Sequence, residues 1–282
     1  MGRISDSDWM RNTSPKASDS MGQAIRDLFW WMFKTWAHSD NMYDKNQWTM
    51  MWFLKGSMTL FVALLATLRF APKWRVAIFA WLYFYAVMKK DAMIGMSIYG
   101  GALLAEFSLH PCIAAYSTNR NLVHRIIPFI LILTGLFLAG YPNQHADWTP
   151  WSNSLRLFAE KLFHQNAKNF WPTIGVQLTT LGIILSSSAQ HALSHPVLTW
   201  LGNISFPVYL IHGPLLRSVL NWMLFAFSTP RALVDKDDRG RITREYLRLP
   251  KPSPWHLAYA LPTFFVLLLA LAHLWTLRVE PW

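Results

Sequence analysis

Charge is what this sequence has least of. Only 15% of its 282 residues are Asp, Glu, Lys or Arg, where a soluble domain carries about a quarter. Cysteine is nearly absent too. Cys112 stands alone, which excludes an intrachain disulfide and a cysteine-built metal cluster. No serine-hydrolase elbow, phosphate-binding loop or dinucleotide fingerprint occurs, so the commonest motif-bearing enzyme classes drop out. HALSH (His191 to His195) has the i,i+4 spacing of a helical metal pair, but Pro196 ends the segment without a third ligand. No internal repeat supports an inverted-repeat transporter. No cleavable signal peptide is evident at the start, where MGRISDSDWMRNTSPKASDS reads as a polar, disordered tail over 1–20.

What the chain does have is apolar sequence in blocks. It is 53% hydrophobic, with 16 Trp. Thr59–Leu68, Val76–Met88, Ile126–Ala139 and Thr263–Leu274 are almost wholly apolar. With their flanks they approach the roughly 20 residues that a helix needs to cross a bilayer. The net charge is +11, and the basic residues sit at block edges: Arg69, Lys73 and Arg75, then Lys89 and Lys90, Arg120 and Arg125, and Arg278. That placement fits the flanks of membrane helices and acidic lipid headgroups. It excludes a nucleic-acid partner, because no basic stripe stands apart from the blocks. Trp48, Trp52, Trp74, Trp200 and Trp255 lie near block ends, where aromatic residues suit the interface.

The expected fold is therefore all-α, a polytopic helical bundle forming a single membrane domain over 21–282. Residues 21–38 mix aromatic side chains with Arg26, Asp27 and Lys34, which predicts an amphipathic helix lying at the interface. Seven spans are expected, at about 49–70, 75–89, 92–110, 125–141, 172–190, 200–227 and 254–276. An odd number puts the two termini on opposite sides. SLRLFAEKLFHQ, in the connection between Tyr141 and Trp171, predicts an amphipathic surface helix. The connection 228–253 carries VDKDDRGRITREYLR and reads as solvated.

Ionisable groups at membrane depth are costly and point to function by default. Lys55, early in the first span, either snorkels to the interface or attracts an anion. Glu106 lies in a glycine-rich span that permits close helix contact, and serves either chemistry or a structural hydrogen bond. His212 has Tyr209, Val208 and Ser205 at helical spacings of three, four and seven, so hydroxyls share a face with the imidazole. Pro207 and Pro214 each remove a backbone donor and bend the helix, as suits a cavity wall. His212 is then either a general base for a hydroxyl or a histidine bonded to a neighbouring helix.

The stretch LGNISFPVYLIHGPLL (Leu201 to Leu216) resembles the C-terminal signature of the acyltransferase-3 family, particularly its fungal branch. Four other stretches match in the expected order: YDKNQWTMMWFLKGSMTLF, GGALLAEFSL, GLFLAGYP and NFWPTIGVQLTTLGIILSSSAQ. The similarity runs from about Asp40 to Trp275. It implies a membrane O-acyltransferase that moves an acyl group, often acetyl, from an acyl-CoA-type donor to a hydroxyl of a sugar, lipid or secondary metabolite. Acyl-CoA is then a co-substrate, no cofactor is bound, and the enzyme sits in an endomembrane or the plasma membrane. On this resemblance Lys55 attracts the donor's phosphates. His212, with Tyr209, Ser205 and Asn203, orients the acceptor hydroxyl, and Glu106 keeps the cavity polar or tunes a neighbour. Family members place an arginine where this chain has Lys55, which keeps the charge but loses the bidentate fork, and a glutamate where it has Phe53. They also open with a helix bearing a catalytic histidine, so the chain is expected to be a member truncated at its N-terminus. A catalytically inactive membrane scaffold and a small-metabolite transporter are the alternatives.

Overall fold

The computed structural model describes residues 18–38, 48–118, 121–163, 166–229, 231–236, 242–248 and 250–280. Most of the expected tail over 1–20, Arg120, and the first residues of the YDKNQW stretch lie outside them. The chain is helical along nearly all of this length. In order come α1 (Met21–His38), α2 (Trp48–Thr67), α3 (Pro72–Met88), a π-helical turn at Ala92–Met96, α4 (Ser97–Ser108), α5 (Pro111–Thr118) and α6 (Leu122–Ala139). These are followed by α7 (Pro150–Phe163), α8 (Ala167–Leu185), α9 (Ser187–Leu193), α10 (Pro196–Leu215), a second π-helical turn at Leu216–Leu220, α11 (Asn221–Phe225) and α12 (Pro254–Arg278). Five helices begin on a proline, at Pro72, Pro111, Pro150, Pro196 and Pro254. Proline is pre-set for the first helical position, where its missing N–H is not needed.

Among the described residues, three stretches are long and apolar enough to cross a membrane: Thr49–Thr67, Leu122–Ala139 and Pro254–Arg278. A fourth qualifies if Ala92–Ser108 and Pro111–Ser117, bent by 78° where they meet, count as one broken span. That is fewer than the seven expected. The difference has a physical cause: α3 is only 17 residues long, while α8 and α10 are diluted by Thr, Gln, Ser and Asn. All seven expected stretches are nevertheless helical.

Outside the helices, the connection 228–253 holds one short strand pairing. There β1 (Arg231–Lys236) pairs antiparallel with β2 (Ile242–Arg248), in the register Arg231↔Arg248 to Lys236↔Ile242 with an irregularity at Asp235/Lys236. Val234, Ile242 and Thr243 are β-branched and favour this extended pairing once the chain leaves the apolar blocks.

By contacts the chain divides into one unit over 52–196 and another made of 1–51 and 197–282. The first is organised by α6 and α8, its most extensive helix pair. Their seam is lined by glycine: a Cβ on Gly175 would lie 2.3 Å from the Ala139 nitrogen, and one on Gly182 2.8 Å from the Pro128 carbonyl. In lipid, where no hydrophobic force drives helices together, such small residues let backbones approach and gain dispersion. The π turn is tied to α8 through its carbonyls. Thr173 Oγ1 donates to Ala92 O at 3.0 Å, and Gln177 Nε2 donates to Met96 O at 2.8 Å. Gln177 Oε1 also accepts from the Tyr83 hydroxyl at 2.9 Å. A π turn misaligns the ordinary ladder, and two side chains one turn apart on α8 supply the missing donors. The predicted surface helix is α7, which buries Ser152 and Ala159 and receives the Trp171 indole on Leu155 O at 2.9 Å. The predicted interfacial helix is α1. It leaves Leu28, Phe29, Trp30, Phe33 and Trp36 exposed, an apolar face suited to lipid.

Candidate functional site

Three polar side chains come together in the second unit. Tyr209 and His212 are one turn apart on α10, with ring centroids 5.7 Å apart. The Tyr209 hydroxyl is hydrogen-bonded to the hydroxyl of Thr49, in the first turn of α2. His212 Nδ1 lies 2.6 Å from the Tyr209 carbonyl oxygen. A carbonyl only accepts, so in the neutral ring Nδ1 carries the proton and Nε2 is the basic nitrogen. All three side chains are half-buried.

The sequence makes this local geometry. Pro207 is buried within α10, and Pro214 lies two residues after His212. Each withholds one backbone donor, and the helix runs directly into its π turn at Leu216. On the adjoining face, Leu210, Ile211, Pro214 and Leu215 line an apolar groove of about 620 Å³ with Leu271, Leu274, Trp275 and Arg278 of α12. Trp200 Nε1, near the start of α10, donates to His273 Nδ1 of α12 at 3.3 Å.

The other expected site residues are placed as follows. Ser205 is exposed and donates to the Gly202 carbonyl of its own helix at 2.7 Å. Asn203 is exposed on α10. Lys55 is exposed with Nζ 5.4 Å above the Trp52 ring, a cation–π contact. It lines a pocket of about 450 Å³ with Thr59, Tyr85, Lys89, Asp91 and Tyr99. Glu106 is not part of that pocket. It pairs with Arg75 of α3, Oε1 lying 2.9 Å from Nε and Oε2 accepting from Nη2 at 2.9 Å. Of the alternatives for Glu106, the structural partner is the one that the ion pair favours.

Sequence reading missed Arg75 as a partner, Thr49 as a member of the Tyr209 group and His273 inside the last apolar block. Thr49 does lie in the YDKNQWTMMW stretch, so a signal for it was present. Arg75 and Glu106 are 31 positions apart and nothing in one sequence links them. Comparison with known proteins finds no matching family model and no similar curated protein or solved structure. The described residues thus define a helical chain with three to four helices of membrane-crossing length and polarity.

Proposed function

We propose that the chain is a multi-pass membrane O-acyltransferase of the acyltransferase-3 type, with α2, α3, the π turn plus α4, α6, α8, α10 and α12 as its spans. It moves an acyl group, acetyl in the simplest case, from acyl-CoA to the hydroxyl of a sugar, lipid or secondary metabolite, in an endomembrane or the plasma membrane. The observation that carries this reading is the bond between Tyr209 and Thr49. It joins two of the family-like stretches, 160 positions apart, one turn from His212.

In this reading the acceptor hydroxyl lies against His212 Nε2, with Tyr209 and Thr49 orienting it and Ser205 and Asn203 on the same helix lining its approach. The acceptor oxygen attacks the thioester carbonyl and the new C–O bond forms. The C–S bond breaks, and the acceptor's proton passes through Nε2 to the departing thiolate. Lys55 attracts the phosphates of the donor. Glu106, closed on Arg75, holds α4 to α3.

The test is release of CoA thiol from acetyl-CoA by the purified full chain, supplied with a panel of sugar, glycerolipid and polyketide alcohols. Loss of a general base lowers kcat about 10²–10⁴-fold, so His212→Ala should fall by that amount. Equal turnover in wild type and His212→Ala would remove His212 from the chemistry. The Arg75–Glu106 pair favours a second reading, a membrane scaffold whose interior polar groups serve packing. Thiol release at background level across the panel, from a folded wild-type chain, would support it. A small-metabolite transporter is the third reading, tested by ion-gradient-dependent uptake into vesicles.

A further inference from the structure

At the α6 N-terminus and the α8 C-terminus lies a cavity of about 810 Å³ that plays no part in the acyl-transfer reading. Its polar lining is His124 and Arg125 from the first turn of α6, Ser117 of α5, and Ser186, Ser187 and Ser188 where α8 gives way to α9. Phe129, Ile132 and Leu185 complete it from within the helices. No carboxylate lines it among the described residues.

His124 supplies an independent observation. Its ring stands 4.3 Å from that of Tyr116. Its Nδ1 is buried, yet has no hydrogen-bond partner among the described residues. Leaving a buried polar atom unsatisfied is unfavourable, and such an atom in a native structure calls for an explanation. Arg125 beside it is exposed and makes no ion pair among the described residues.

We infer that this cavity binds the phosphate group of an amphiphile. A guanidinium, an imidazole and the hydroxyls of Ser187 and Ser188, with no opposing carboxylate among the described residues, suit a tetrahedral oxyanion with many acceptor sites. Phe129 and Ile132 follow His124 and Arg125 deeper into a helix of membrane-crossing character, so the site is polar at the helix ends and apolar along them. That order matches a headgroup with a chain below it. A phosphate can come from a bilayer phospholipid or from a soluble phosphate ester, and the probes below separate the two. The inference stands whether or not the chain transfers acyl groups.

The full chain in neutral detergent micelles is titrated with dioctanoyl phosphatidate, dioctanoylglycerol, glycerol 3-phosphate and inorganic phosphate, and bound ligand is counted by native mass spectrometry. Phosphatidate should bind and phosphate-free dioctanoylglycerol should not, a contrast that needs no variant. Arg125→Gln and His124→Gln should each weaken phosphatidate binding about tenfold, as should Ser187→Ala combined with Ser188→Ala. Lys168→Gln, outside the cavity, should leave it unchanged. Glycerol 3-phosphate binding as tightly as phosphatidate, with the same variant losses, would support the phosphate site and assign it to a soluble ester. Absence of binding by all three phosphate probes, equal binding of dioctanoylglycerol, or binding indifferent to Arg125→Gln and His124→Gln would overturn the inference.

Discussion

Gly175→Ala should destabilise the chain by about 2 kcal/mol, although alanine is the better helix former by about 1 kcal/mol. The magnitude follows from what the added methyl would meet. It would lie 2.3 Å from the Ala139 nitrogen, 2.6 Å from the Gly135 carbonyl oxygen and 2.9 Å from the Ala139 Cα. All three are backbone atoms, so no side-chain rotation relieves the overlap. Ordinary contact begins near 3.4 Å, so α6 and α8 must part locally by about 1 Å. A gap of 0.5–1 Å forfeits about a quarter to a half of each dispersion well. The reciprocal contacts at Gly135 and Gly182 lie on the same seam and loosen with it. Overpacking costs about 1–3 kcal/mol; the backbone clash places this case near the top, and the helix-propensity gain offsets part of it. Reversible unfolding of the full chain from mild detergent into dodecyl sulfate, followed by helical circular dichroism, measures the change. Gly101→Ala and Gly202→Ala are the controls, since no atom lies within 4 Å of a Cβ built at either. They should gain up to about 1 kcal/mol. If Gly175→Ala matched those controls, the close-packed seam would be refuted.

Glu106→Gln should lower stability by about 1–3 kcal/mol in the same titration, because the partly buried Arg75 loses its charged acceptor, and should leave any acyl transfer intact. A variant of normal stability that lost turnover would instead move Glu106 into the chemistry. Lys90 adopts φ 61° where α3 ends, with Asp91 N–H bonded to the Ala86 carbonyl and Lys90 N–H to that of Val87. Glycine is the usual residue at this left-handed position, so Lys90→Gly should raise the unfolding midpoint by the equivalent of about 1 kcal/mol. An unchanged or lower midpoint would show that the lysine side chain contributes more than its backbone strain costs.

The helices were legible because apolar blocks are local signals. α3, α6 and α12 follow from composition, and α7 from its amphipathic period. Neither π turn was legible, since Ala92–Met96 and Leu216–Leu220 keep a helical composition and differ only in which carbonyls remain to be satisfied. The bend at His110–Pro111 and the helix α5 behind it went unread because the span before them looked continuous. At the candidate site, Tyr209, Ser205 and His212 could be grouped by spacing along one helix. The Thr49 and Arg75 contacts could not, as each depends on how distant segments dock. Thr173 and Gln177, two of the residues that lower the apolarity of α8, bind the first π turn, so part of what weakens its membrane signal is what positions it.

The two histidines of α10 and α12 are bonded in different ways. His273 Nδ1 accepts from the Trp200 indole, so its proton sits on Nε2 and the bond fastens one helix to another. That is a structural use of an imidazole, bridging elements 73 positions apart. His212 holds the opposite tautomer. Its Nδ1 donates to a carbonyl one turn back on its own helix, which orients the ring and makes Nε2 the basic atom. The bond that fixes its proton therefore does not join helices, whereas the neighbouring Tyr209 hydroxyl does so through Thr49. These two bonds thus run in different directions, one between helices and one along a single helix. In the acyl-transfer proposal, this arrangement would let Nε2 take the acceptor's proton while Tyr209 keeps its bond to Thr49.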